Sequence, residues 1–277
     1  MRSRTMTLIH GPLLDDRTVA AYLRRIGAER PGAPTSAALR DLHHRHVMTV
    51  PFENVDFHLR EPVSIGPAAV DKIVTRRRGG VCCELNGAFF ELLRALGFRA
   101  EVLAGRVADD GAFGPIIGHM ALRVHTADSP DPWLADVGYG RGARHPLRWT
   151  PGLPQRDPHG TFELARAPHG DTDLLRDGRL QYRLEDRPRL VADFEAMWWW
   201  LRHSPESPHR RHLYCTLPTP DGGRVTLSGN TLTVRANGDK STVVIEDEDE
   251  LRETYRARFG VELSDLPPVT SRPPATR

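Results

Sequence analysis

Cysteine is scarce in this chain, with three residues, Cys82, Cys83 and Cys215, among 277. Two of them are adjacent and cannot easily pair with each other, which excludes a disulfide framework and points to a reducing compartment. There is no C-x-x-C pair and no clustered Cys/His spacing, so no metal is expected. Net charge is low as well, +2 from 38 Lys and Arg against 36 Asp and Glu. The basic residues are scattered apart from Arg76-Arg77-Arg78, which leaves no nucleic-acid footprint. Long apolar runs are missing. The segment MRSRTMTLIHGPLLDD lacks an apolar h-region and no stretch approaches a membrane span, so no membrane partner is expected and a cytoplasmic location is the default. No internal repeat is visible.

What is present is an ordinary hydrophobic content, 39%, in a chain long enough for two or three modest domains. Up to Arg99 the pattern is helical. Apolar spacing predicts a helix over Asp15 to Gly27 and a second one, capped by Thr35, running to Val47. His43, His44 and His46 lie on the second helix at offsets that scatter around it, so they read as structural or exposed residues, not as a metal site. Arg76 to Phe98 then passes from a basic, glycine-rich stretch into apolar positions at Leu85, Ala88, Phe89, Leu92, Leu93 and Leu96. A helix starting near Val81 and stopped at Gly97 follows from that spacing.

From Arg99 the texture becomes alternating and β-rich. Ala100 to Val107, His119 to Val124 and Pro132 to Val137 read as antiparallel strands of a barrel-like sheet, with a further strand over Leu180 to Leu184. Arg144 to Gly178, rich in proline, glycine and charge, gives no clear element. A helix is predicted over Asp193 to Trp200, in which three adjacent tryptophans cannot all face one core, so at least one lines a cavity or an interface. Short strands over His212–Leu217, Gly223–Leu227, Asn230–Val234 and Lys240–Ile245 are joined by Asp221-Gly222-Gly223 and Asn237-Gly238 turns. A last helix spans Asp249 to Phe259, and the proline-rich tail after Leu266 is expected to be disordered. The fold class is α+β.

The chemistry concentrates at Cys82 and Cys83, in the first turn of the central helix, where unpaired N–H groups and the helix dipole lower a thiol's pKa. A thiolate nucleophile needs a base, and the base an orienter. His119 opens an apolar strand directly after the flexible Gly114–Gly118 loop, and Asp136 is an acid embedded in an apolar strand, costly without a partner. Neighbouring strands would set Asp136 against His119 Nδ1 and leave Nε2 for Cys82. Glu53, an acid among apolar residues, needs a cation, and Arg78 is the candidate, bracing the loop before the nucleophile. Gly79 and Gly80 are expected to let substrate approach closely.

At Pro51-Phe52-Glu53-Asn54, Arg78-Gly79-Gly80-Val81-Cys82-Cys83-Glu84-Leu85-Asn86, Gly118-His119-Met120 and Asp136-Val137-Gly138-Tyr139-Gly140, the sequence resembles the arylamine N-acetyltransferases. The resemblance implies a helical bundle over 1–98 carrying the nucleophile, a β-barrel over 99–205 carrying His119 and Asp136, and an α/β lid over 206–277, around a cysteine-protease-like core. It also implies Cys82 as nucleophile with Cys83 its variable neighbour, acetyl-CoA as co-substrate without a metal, and a ping-pong transfer to an aromatic amine or hydrazine. An oxyanion site would come from the Cys82 N–H and a barrel-loop amide.

Departures fall on the acceptor side. Many relatives carry Asn-Trp-Tyr-x-Ser-Thr where this chain has Trp198-Trp199-Trp200-Leu201-Arg202-His203, and a phenylalanine where it has His209. Phe52, Trp199, Trp200 and His209 are therefore the candidate pocket residues. Two alternatives follow: an amide synthase using a carrier-protein-bound or long-chain acyl thioester, and a cysteine hydrolase or silent binding module on the same scaffold.

Overall fold

The computed structural model describes residues 11–62, 64–109 and 111–268, so most of the tail after Leu266 lies outside the described residues. The chain begins with two helices, α1 (Asp16–Ile26) and α2 (Ser36–Thr49). Asp15 Oδ1 accepts from the Thr18 N–H at 2.7 Å to start α1, and Gly27, at φ +67°, ends it. Thr35 caps α2 by accepting from the Ala38 N–H at 3.2 Å. Each cap supplies one of the acceptors that the first N–H groups of a helix lack.

After a two-residue strand, β1 (Phe52–Glu53), come the short helices α3 (Val55–Leu59) and α4 (Pro67–Val74) and then α5 (Cys82–Ala95). Every residue of α5 from Cys82 to Leu93 is buried. Its apolar residues leave no solvated stripe, as suits a helix wrapped on all sides. It packs on α4 and α1 on one side and on two barrel strands, β2 (Arg99–Asp109) and β4 (His119–His125), on the other. Phe89, Phe90, Leu92 and Leu93 share one core with Val102, Met120, Leu122 and Val124.

The barrel also holds β3 (Ala112–Phe113), β5 (Trp133–Ala135), β6 (Leu147–Arg148), β7 (Gln155–Asp157), β8 (Gly160–Arg166), β9 (Thr172–Arg176) and β10 (Arg179–Arg189). Their order is β6-β5-β4-β2-β10-β9-β8-β7, antiparallel throughout, with β3 beside β2. Arg144 to Gly178, which the sequence left without an element, thus supplies four strands. The two edges meet through one side chain: Gln155 Nε2 donates to the Arg148 carbonyl at 3.0 Å and its Oε1 accepts from the Arg148 N–H at 2.7 Å. A glutamine amide offers the donor and acceptor of a peptide unit, so it nearly closes the barrel where no ladder runs.

Two helices, α6 (Glu195–His203) and α7 (Pro208–Arg211), lead to β11 (Tyr214–Pro218), β12 (Arg224–Ser228), β13 (Thr231–Ala236), β14 (Asp239–Val244) and α8 (Glu248–Phe259). Asn237 and Gly238 both take positive φ, +51° and +88°, as a tight hairpin between β13 and β14 requires. α8 lays Leu251, Tyr255 and Phe259 against Cys215 and Leu227. β1 completes this second sheet from the far end of the chain, with Phe52 opposite Thr216 and Glu53 opposite Cys215. No helix among the described residues is long and apolar enough to cross a membrane.

Candidate active site

Cys82 is the first residue of α5, and its Sγ lies 3.9 Å from the Gly118 carbonyl and 3.9 Å from Cys83 Sγ. His119, next to Gly118, opens β4 and is 1% exposed. Its Nε2 meets Asp136 Oδ2 at 2.8 Å. The ring is thus turned opposite to the expected way, and Nδ1 is the nitrogen left for the thiol. β5 ends at Ala135, so Asp136 is the first residue past that strand.

Asp136 is held from several directions. Asn86 Nδ2 donates to its Oδ1 at 2.8 Å and to the Met120 carbonyl at 2.6 Å, while Asn86 Oδ1 accepts from the Val137 N–H at 2.9 Å. Asn86 stands four residues after Cys82, one turn along the same helix face, so a single helix positions both the thiol and the acid's anchor. The Gly138 N–H donates to Asp136 Oδ1 at 3.0 Å. A Cβ on Gly138 would fall 2.6 Å from Asn86 Nδ2 and 2.8 Å from the Cys82 Cα, so only glycine fits there. Below the acid, His43 Nε2 accepts from the Asp136 N–H at 3.2 Å and its Nδ1 faces the Arg144 carbonyl at 3.1 Å. Burial pushes His43 down to about 4, which keeps it neutral, as this acceptor role requires. Neither Asn86 nor His43 was assigned this role from sequence. The available signal was Asn86 at i+4 from the cysteine.

The charges are sorted by these contacts. Burial would lower the His119 imidazole, but Asp136 outweighs it and lifts the group to about 10. The Cys82 thiol is held well below its ordinary value by a hydrogen bond from Cys83, with burial opposing and His119 adding to the effect. Cys83 is raised well above its own value, so the proton of the pair stays with Cys83. Asp136 lies below the usual carboxylate range although burial opposes this, because His119 and Asn86 favour its ionised form. A thiolate beside an imidazolium is the state this arrangement favours.

Beneath the loop that leads into Cys82 sits an ionic cluster. Arg78 Nη2 donates to Glu53 Oε1 at 2.9 Å, the pairing anticipated from sequence, and lies 2.7 Å from Asp56 Oδ1. Lys72 Nζ, unforeseen, lies 2.8 Å from Glu84, 3.0 Å from Asp56 and 3.7 Å from Glu53. Glu84 Oε2 accepts from the Val81 N–H at 3.0 Å, which ties the cluster to the residue before Cys82. Here Gly79 and Gly80 play a different part from the one expected. A Cβ on Gly79 would fall 2.0 Å from the Pro51 carbonyl and one on Gly80 2.8 Å from Glu84, so what approaches closely is the protein itself, not substrate.

Of the expected pocket residues, Phe52 stacks on Tyr214 with ring centroids 5.5 Å apart. His209 hydrogen-bonds through Nδ1 with the Tyr214 hydroxyl, and its ring lies 5.5 Å from Phe57. Burial lowers His209, while the nearby Cys82 charge opposes the shift. Trp198 is the buried member of its trio, Trp200 is half-buried against the main core, and Trp199 is 63% exposed and stacked on His203. A cavity of about 310 Å³ is lined by Phe57, Arg60, Arg202 and Arg210 among others.

The N-acetyltransferase family model matches residues 35–266 of this chain. The arylamine N-acetyltransferase / N-hydroxyarylamine O-acetyltransferase of Salmonella typhimurium is 33% identical over 255 residues, 89% of each chain. The chain belongs to the arylamine N-acetyltransferase family. It is an acyltransferase, and its α+β architecture is that of the solved arylamine N-acetyltransferases. The Salmonella typhimurium structure superposes with a TM-score of 0.81 at 31% identity, covering 92% of this chain and 94% of that one. The Mycobacterium marinum arylamine N-acetyltransferase in complex with CoA gives 0.80 at 31% identity, covering 88% and 92%.

Proposed function

We propose that this enzyme moves the acetyl group of acetyl-CoA through a thioester on Cys82 to an aromatic amine or hydrazine. The observation that carries the reading is the helix-start thiol beside a buried imidazole whose Nε2 is fixed at 2.8 Å from a carboxylate. Family membership supports the donor and the acceptor class.

In the first half-reaction the Cys82 thiolate attacks the thioester carbonyl of acetyl-CoA. The tetrahedral oxyanion collapses, the carbon–sulfur bond to CoA breaks, and the leaving thiolate takes the proton from His119. Exchanging one thioester for another is nearly neutral, so the step is reversible. In the second, the amine nitrogen attacks the acetyl-Cys82 carbonyl, loses its proton to the now neutral His119, and expels Cys82 as thiolate. The amide is more stable than the thioester, so the cycle ends downhill with the ion pair restored. The Cys82 N–H, first in the helix and without an intrahelical acceptor, is one donor to the oxyanion. Phe52, Tyr214 and His209 form the aromatic wall offered to the acceptor.

Incubation with acetyl-CoA alone, followed by peptide mass spectrometry, tests this reading. One acetyl group on Cys82 and one equivalent of free CoA are expected, and both vanish in Cys82→Ala. Amine acetylation by Cys82→Ala at the wild-type rate would overturn it.

A further inference from the structure

Away from the triad, three arginines from separate segments converge where the barrel meets the second sheet. Arg141 follows β5, Arg176 ends β9, and Arg224 opens β12. Arg176 Nη1 donates to the Arg141 carbonyl at 3.3 Å. Arg144, in the same loop as Arg141, reaches across to the β11–β12 turn and donates through Nη2 to the Thr219 carbonyl at 2.6 Å. The half-buried Arg224 donates to the Thr216 hydroxyl at 3.2 Å. Carboxylates are few here. Asp177 lies 3.5 Å from Arg176, whereas Asp157 and Asp221 accept from backbone N–H groups of their own loops. Burial, with Arg176, Arg144 and Arg141 acting in the same direction, lowers Arg224 to about 10.

We infer that Arg141, Arg176 and Arg224 form a phosphate-binding crevice that holds the phosphate-bearing end of the acyl-CoA donor. Exposed Arg141 and half-buried Arg176 and Arg224 gather like charges that repel one another, and an oxyanion relieves that repulsion while filling their planar donor forks. The crevice also connects to the chemistry. The Arg141 guanidinium lies over the Tyr139 ring at 5.9 Å, and that ring packs edge-on to His119 at 5.6 Å. In CoA the phosphates are separated from the thioester by a flexible pantetheine arm, so an anion site a few side chains from Cys82 suits the donor. A compact amine must reach the thioester itself and has no need of one.

The inference rests on acyl transfer through Cys82, and two donors separate the two ideas. Acetyl-CoA carries the phosphates, whereas p-nitrophenyl acetate acetylates a thiolate without them. For Arg176→Gln and Arg224→Gln, KM for acetyl-CoA rises about tenfold with little change in kcat, while the rate of Cys82 acetylation by p-nitrophenyl acetate stays within about twofold of wild type. Arg176→Lys, which keeps the charge but not the fork, recovers part of the loss. CoA inhibits p-nitrophenyl acetate loading of wild type more strongly than of either glutamine variant, whereas pantetheine inhibits all three alike. An unchanged KM for acetyl-CoA, or an equal loss with both donors, overturns the crevice and leaves the Cys82 reading standing. Failure of wild-type Cys82 to load from either donor overturns that reading instead.

Discussion

Two groups of gathered charge in this molecule are built in opposite ways. Under the loop that leads into Cys82, Lys72 and Arg78 meet Glu53, Asp56 and Glu84, side chains no more than 8% exposed, through contacts of 2.7 to 3.7 Å. Where the barrel meets the second sheet, Arg141, Arg176 and Arg224 share one carboxylate contact among the described residues, Asp177 at 3.5 Å from Arg176. The first group pairs each of its cations with carboxylates of its own and so braces the loop that leads into Cys82. The second leaves cationic capacity unused, which costs stability and is retained where a ligand supplies the missing charge.

The largest expected effect breaks the first group. Arg78→Met leaves Glu53 and Asp56 buried with Lys72 alone, and loss of one partner from a buried ion cluster costs about 3–5 kcal/mol. Arg224→Met removes a cation that its neighbours repel, and the expected change is under about 1 kcal/mol, of either sign. Urea midpoints of the two variants measure the contrast directly. Equal destabilisation would mean that the arginine crevice is structural after all.

Some of this contrast was legible in the sequence. Glu53 stood out because an acid among apolar residues needs a partner, and Arg78 was the basic residue at hand beside the signature. Lys72 and Asp56 gave no such sign, since one lies on a helix and the other at the end of a mixed segment, and only the folding of α3 and α4 against α5 makes them neighbours. His119 and Asp136 were readable as polar residues beside apolar strands. The orientation of the ring was not, because which nitrogen faces Asp136 depends on side-chain rotamers that a residue pattern does not carry. The crevice was out of reach for a plainer reason. Arg176 and the strands around it fall in Arg144 to Gly178, where the period-two signal of Phe162, Leu164, Thr172 and Leu174 is interrupted by proline and glycine. The place of Arg176 is set only when β9 pairs with β8 and β10 in the barrel.

The first group holds three carboxylates against two cations, and the odd negative charge falls on Glu84. Burial pushes its carboxyl up to about 7, with Lys72 opposing and Glu53 adding to the rise. The sign follows from proton counting. Between about 4.5 and 7 the folded protein holds a proton on Glu84 that the unfolded chain has released, so this group's contribution is greatest at low pH and declines as pH rises toward 7. Glu84→Gln keeps an acceptor for the Val81 N–H and removes the titration. The difference in unfolding free energy between wild type and variant is therefore expected to change by about 1–3 kcal/mol across that window and to flatten above it. Arg224, lowered only to about 10, offers no such change below pH 9 in a parallel Arg224→Gln titration. A difference independent of pH in Glu84→Gln would show that the acid is ionised throughout and that the cluster tolerates its excess charge.

The smallest expected effect separates the two groups by salt. Charges open to water are screened over about 10 Å at 0.1 M ionic strength and about 3 Å at 1 M, whereas buried pairs are screened far less. Raising sodium chloride from about 50 mM to about 500 mM should increase KM for acetyl-CoA by roughly two- to fivefold through the crevice, with kcat and the p-nitrophenyl acetate rate steady. Over the same range the gap in urea midpoint between wild type and Arg78→Met should hold, because the side chains concerned are sealed from the solvent ions. The direction of each response matters more than its size. A donor KM indifferent to salt would place the phosphates away from Arg141, Arg176 and Arg224, and a stability gap that closes with salt would show that the cluster beneath Cys82 is wetter than its packing implies.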